Sequence, residues 1–278
     1  VSVRVRWAGP SAAAPGHLGL RPRGVARVIA HGQEASTRGR ASRTPTRWWL
    51  AAAAITPALR AAVAFFVVPA GSWRRACDRC AASLAFPWCS TAFLPLGRCP
   101  SCHEHVGAPR GSVELAALAA AVVLVVSRRG GWELVAFAWF AGLGVVLATV
   151  DALVRRLPNV LTALTAGGLI TIFGVVALAE DRGGQWTRGI FAGMAIAAVF
   201  GLVALLWPRM MGWGDVKLAF STGMLTGWVS WWAVYGGVWL AFLLAGVWAL
   251  IRRKRRGDQV ALGPGLIAGA FIAASLLP

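Results

Sequence analysis

Eight apolar runs, most of them long and almost free of charge, follow one another from residue 48 to residue 278. They lie at about 48–70, 112–127, 132–150, 159–179, 189–207, 216–228, 231–251 and 261–278. A bilayer core of about 30 Å is crossed by roughly 20 apolar residues in a helix, and uncharged runs of this length are its mark. Composition agrees: hydrophobic residues make up 58% of the chain and charged ones 14%, against about 25% charged in soluble domains. Tryptophans stand near the ends of the runs (Trp48, Trp49, Trp132, Trp207, Trp231 and Trp232), where amphipathic rings favour the headgroup layer. The expected fold is an all-α polytopic membrane protein with about eight transmembrane helices. The number falls to seven if the 48–70 run, interrupted by Pro57 and Arg60, lies on the membrane instead of crossing it. The division of 216–251 into two spans rests on "TGWVSWW" as an interfacial turn.

The formal charge of +18 first suggests a nucleic-acid binder. Its distribution points elsewhere. Residues 1–47 hold nine arginines against the single acid Glu34, lack sustained periodicity and read as a disordered basic tail. They also lack the compact apolar core and cleavage site of a secretory signal. Much of the remaining charge lies in short loops, as expected of cytoplasmic loops that orient spans. With the cysteine-rich segment 71–110 placed in the cytoplasm, nine basic residues fall on that side, in "RRLPN", "PRMMGWGDVK" and "RRKRR". Four fall opposite: Arg128, Arg129, Arg182 and Arg188. The bias predicts a multi-pass protein of the plasma membrane with 71–110 inside. Lipid is the expected partner of the basic charge, and no nucleic acid is expected. The chain then divides into a tail (1–47), a first transmembrane segment (48–70), a cytoplasmic cysteine domain (71–110) and a polytopic domain (111–278).

Charged groups near a bilayer core cost several kcal/mol and mark function. Asp151, in "ATVDALVRRLPNVLT", and Asp215, in "MGWGDVKLAF", both fall at predicted cytoplasmic helix ends. Two carboxylates that reach one water share a proton, because like charges at close range do not both ionise easily. One takes a proton from the water while the other polarises a carbonyl and protonates the leaving amine. Gly212 and Gly214 allow close backbone approach, and Pro158 suits the start of a helix. Taken singly, each acid has a structural alternative. Asp215 could cap the helix that follows it, and Asp151 could pair with Arg155.

Four cysteines form two C-x2-C pairs, Cys77/Cys80 and Cys99/Cys102. This spacing predicts a structural Zn2+ site with four thiolates, and a cytoplasmic position favours metal over disulfide. Cys89, His103 and His105 are spare; either histidine could replace one cysteine as a ligand.

"GWGDVKLA" and the D-x6-P stretch from Asp151 to Pro158 resemble the two signatures of the type IV prepilin peptidase family, also called leader peptidase/N-methyltransferases. "GRCPSCHEHVGAPRGSVELAA" (97–117, with Glu114 at a recurrent acid) and "ALGPGLIAGA" (261–270) are similar to further stretches of that family. The resemblance covers about 73–278. It implies an aspartic endopeptidase with Asp151 and Asp215 as its catalytic pair. The substrate would be a type IV prepilin-like protein, cut after a glycine at the cytoplasmic face. It also implies S-adenosylmethionine-dependent methylation of the new N-terminus, for which the sequence offers no nucleotide-binding glycine motif of its own. "GWGD" fits as well the Gly-x-Gly-Asp motif of the wider intramembrane aspartyl proteases. Here, however, Val150 precedes the first acid, and the only Pro-Ala-Leu (57–59) lies upstream of both. The competing reading is a membrane transporter with an aspartate proton relay, which predicts acids deep in the spans and repeated halves. A zinc module binding nucleic acid through the tail is a further alternative, weakened by Trp7 being the tail's single aromatic.

Overall fold

The computed structural model describes residues 46–67, 76–84, 93–94, 97–208, 211–251 and 261–277. Residues 1–45 of the basic tail, and Cys89, lie outside the described residues. The described chain is helical: α1 (Thr46–Phe66), α2 (Ser112–Ser127), α3 (Gly131–Val154), α4 (Asn159–Ala179), α5 (Gly183–Leu206), α6 (Trp213–Val229), α7 (Trp231–Ile251) and α8 (Gly263–Leu276). Helices satisfy their own backbone groups, as a segment inside lipid must. Helices α3, α4, α5 and α7 are long and apolar enough to cross a membrane. Helices α2 and α8, and residues 55–66 of α1, are shorter apolar helices. The protein is thus an all-α polytopic membrane protein.

The helix boundaries follow local chemistry. Ser230 separates α6 from α7, and its hydroxyl accepts the Ala233 N–H at 3.1 Å, so the "TGWVSWW" turn falls at a serine cap. Pro264 stands in the first turn of α8, where its missing N–H costs nothing. Pro57 does not end α1, which runs through it.

Successive helices α2 to α8 alternate in direction, and small residues set their closest approaches. Gly189 and Gly193 of α5 face Gly227 and Gly223 of α6. A Cβ on Gly223 would lie 2.8 Å from both the Ala192 carbonyl oxygen and Gly193 Cα. On the α7–α8 seam, a Cβ on Gly269 would lie 2.5 Å from the Ala241 nitrogen. Lipid gives helices no hydrophobic reason to associate, so close backbone packing of this kind holds them together. Gly223→Leu is expected to destabilise the protein by about 1–3 kcal/mol, the usual range for overpacking, read as a lowered unfolding temperature in detergent. An unchanged unfolding temperature would mean that this seam yields freely.

Arg60, which interrupts the first apolar run, is 3% exposed. Its guanidinium pairs with Glu114 of α2 (Nη2 to Oε2, 2.8 Å) and donates to the Pro109 carbonyl at 3.2 Å. The apparent interruption of the span is therefore a tie between α1 and α2.

At the opposite end of the bundle a second polar cluster surrounds Glu133. Its carboxylate pairs with Arg182 and with Arg129 (3.3 Å), and it accepts the Trp228 indole N–H at 3.0 Å. Trp228 stacks on Phe173 with ring centroids 4.3 Å apart. Arg188 caps the C-terminus of α6 by donating to the carbonyls of Gly227, Trp228 and Val229, each at 2.7 Å. Arg129 does the same for α8 through Ala274, at 2.6 Å.

Candidate functional site

Asp151 lies in the last turn of α3 and is 5% exposed. The N–H of Gly263, at the start of α8, donates to its Oδ2 at 3.1 Å. A Cβ on Gly263 would sit 2.6 Å from that oxygen, so the contact requires glycine. Asp215 lies in the first turn of α6 and is half-buried. Gly212 is the capping residue, and its N–H donates to Asp215 Oδ2 at 3.3 Å. Asp151 thus ends α3 and Asp215 opens α6.

The structural alternatives for the two acids are met in part. Asp215 does serve the start of α6, three residues inside the cap and not at it. Arg155 closes α3 in a left-handed conformation (φ 52°), its N–H bonded to the Asp151 carbonyl at 2.9 Å. Among the described residues, no ion pair joins the side chains of Asp151 and Arg155.

Two further contacts tie the segments bearing the aspartates. Leu157 packs on Gly214, where a Cβ would meet the leucine Cβ at 2.9 Å. Lys217 Nζ donates to Asn159 Oδ1 at 2.8 Å, linking α6 to the start of α4. Neither contact, nor the bond from Gly263, was read from the sequence. The proline at position 264 is the one local sign that a helix N-terminus, with its free N–H groups, begins there.

The cysteines form a separate centre at the same end of the chain's path, between α1 and α2. Its two halves have the same construction. Cys77 and Cys99 each donate their N–H five residues on, to Ala82 (2.9 Å) and Glu104 (2.8 Å). Ala81 and His103, just after the second cysteine of each pair, both take left-handed conformations (φ 55° and 57°). Isolated bridges Ala76–Ser83 and Arg98–His105 close the two knuckles. His103 occupies a turn position equivalent to an alanine. Both His103 and His105 are exposed and stand outside the cysteine cluster. The module docks on α1 through Gly107, where a Cβ would meet that of Ala64 at 3.0 Å.

The four sulfurs lie within 4.8 Å of one another, with Cys77–Cys102 at 3.6 Å and Cys80–Cys99 at 3.7 Å. A zinc–sulfur bond of about 2.3 Å puts tetrahedral sulfurs roughly 3.8 Å apart, so the cluster fits a divalent metal such as zinc. The thiols are unequal. Backbone N–H groups of Cys102 and Ser101 lower Cys99 to about 6. At Cys102 the Glu104 N–H also favours the thiolate, but burial and the neighbouring sulfurs push it up to about 12. Adjacent thiolates repel, and a dication binding all four removes that conflict. Purified protein is expected to carry about one zinc per chain by elemental analysis. Cys77→Ser should lose most of it, and a variant that keeps full zinc would remove Cys77 from the ligand set.

In comparison with known proteins, the chain is similar to a prepilin leader peptidase/N-methyltransferase of Aeromonas salmonicida strain A449. The two are 27% identical over 213 residues, covering 72% of this chain and 70% of that protein. A second Aeromonas salmonicida protein of the same name gives the same figures. No family model matches the chain, and no solved structure matches it.

Proposed function

We propose that this protein is a prepilin leader peptidase of the aspartic type, with Asp151 and Asp215 as its catalytic pair. The observation that carries the reading is that two acids from distant parts of the chain stand at helix ends whose adjoining segments touch, through Leu157 on Gly214 and Lys217 on Asn159, each carboxylate held by a glycine N–H. The similarity to the Aeromonas salmonicida proteins supports it independently.

In this reading water attacks the scissile carbonyl carbon while one aspartate takes its proton. The other aspartate, protonated, donates to the carbonyl oxygen. Collapse of the tetrahedral intermediate breaks the C–N bond, and the amine leaves with a proton returned from the pair. Gly263 and Gly212 orient the carboxylates, and the Lys217–Asn159 bond holds their two segments in register. The substrate is a type IV prepilin-like protein, cut after glycine between a charged leader and an apolar helix. The cysteine module holds a structural zinc through Cys77, Cys80, Cys99 and Cys102, and its face of the membrane is cytoplasmic. Two of the four basic residues that oppose this orientation, Arg129 and Arg188, cap helices, and Arg182 pairs with Glu133; packing therefore accounts for their position. A proton relay is less well supported, since both acids stand at helix ends and not along a path through the spans.

The test is co-expression with prepilin-like substrates whose leaders end in glycine, followed by intact mass measurement. Shortening by the leader is the expected result, and the same mass reads any added methyl group. Failure to shorten several such substrates at good expression would reopen the transporter reading.

A further inference from the structure

The end of the bundle opposite the aspartates holds a cavity of about 150 Å³ lined by Leu124, Val125, Arg128, Arg129 and Leu134. It sits at the corner where α2 passes into α3. Arg128 closes α2 in a left-handed conformation (φ 51°) with its side chain exposed. Arg129 donates to Glu133 and Ala274, and its guanidinium lies 4.4 Å from the Phe137 ring centroid. Its Nε–H is buried and has no acceptor. A buried donor left unpaired costs about 1–3 kcal/mol, so this corner lacks an oxygen.

Other features of the corner suit the same missing group. The two glycines after Arg129 leave open space, with nothing within 4 Å of a Cβ at either. Helix α3 begins there without a side-chain cap. Trp132 is 59% exposed, as an interfacial anchor would be. Below the corner, Leu118, Val122, Val125 and Val126 leave an apolar face of α2 exposed. Arg129 and Arg182 pair with Glu133 and Glu180, and among the described residues no ion pair involves Arg128, which lines the cavity.

We propose that this corner binds the phosphate of an anionic membrane phospholipid, held by Arg128 and the partly exposed guanidinium of Arg129, with the lipid's apolar part along α2. A guanidinium fork matches phosphate oxygens, and basic pockets between membrane helices suit anionic headgroups. The cavity has room for several waters' worth of polar atoms, and its walls at Leu124, Val125 and Leu134 are apolar. The site is distinct from the aspartates and does not depend on the proposed peptidase activity.

The test uses purified full-length protein in detergent, titrated separately with phosphatidylglycerol, phosphatidylcholine and inorganic phosphate. Bound lipid is read by native mass spectrometry and stability by unfolding temperature. Phosphatidylglycerol is expected to be retained best and to raise the unfolding temperature most. Arg128→Asn should weaken its retention about fivefold, the equivalent of one interfacial cation. Asparagine tolerates the left-handed conformation, so this variant should unfold at the wild-type temperature without lipid. Arg128→Lys, which keeps the charge, should retain more lipid than Arg128→Asn. Equal retention by wild type and Arg128→Asn would overturn the proposal, as would equal retention of phosphatidylcholine. An equal stabilisation by inorganic phosphate would show a water-side anion site and not a lipid site.

Discussion

Asp215→Asn is expected to yield a folded, membrane-inserted protein that no longer shortens a prepilin-like substrate. Asparagine keeps an oxygen that can accept the Gly212 N–H, so the start of α6 survives. What it loses is proton transfer. A positioned acid or base contributes roughly 10²–10⁴-fold to rate, and in a shared-proton pair neither partner works alone. Asp151→Asn should fail equally, for it too can keep its bond from Gly263. The readout is the ratio of mature to full-length substrate at matched expression. Wild-type cleavage by either variant would remove that residue from the catalytic pair.

Glu133→Ala should cost about 1–3 kcal/mol, the penalty for leaving the polar partners in a part-buried cluster unpaired. Glu133 is 14% exposed and answers to two arginines and an indole. Its loss leaves Arg129 and Arg182 without their shared anion and the Trp228 N–H without its acceptor. Trp228 is among the largest fully buried side chains and stacks on Phe173, so the disturbance reaches the core. A drop of several degrees in unfolding temperature is expected, with Glu133→Gln intermediate because it can still accept from Trp228. If Glu133→Ala melted with wild type, the cluster would have to be re-solvated at no cost, contrary to its burial.

The helices and the cysteine set were legible because they leave local marks. Apolar runs announce spans, and two C-x2-C pairs announce a tetrahedral sulfur cluster. Ser230 divides α6 from α7 where the tryptophan-rich turn suggested. What was not legible depends on partners far away in sequence. Arg60 looked like a defect in a span because Glu114, which neutralises it, is 54 residues on. Glu133 passed unnoticed because Arg182 and Trp228 reach it only in the folded bundle. Gly263 lies in the 261–270 stretch that resembled the family's, but its role appears only when Asp151 is brought beside it. The glycines of α5 and α6 did carry a visible four-residue spacing at 189/193 and 223/227. Their pairing with each other, however, is a property of the packed helices.

That seam between α5 and α6 also acts as an axial ruler. Gly223 meshes with Gly193 about 12 Å along the helix from Asp215, at 1.5 Å of rise per residue. Interlocked backbones at two successive levels resist sliding, so the axial position of Asp215 against α5 is fixed by residues that never approach it. Misplacing a reacting group by about 1 Å can cost roughly 10²-fold in rate. On the proposed peptidase reading, a single methyl group on a glycine two helical turns from Asp215 can therefore damage the chemistry without touching the site.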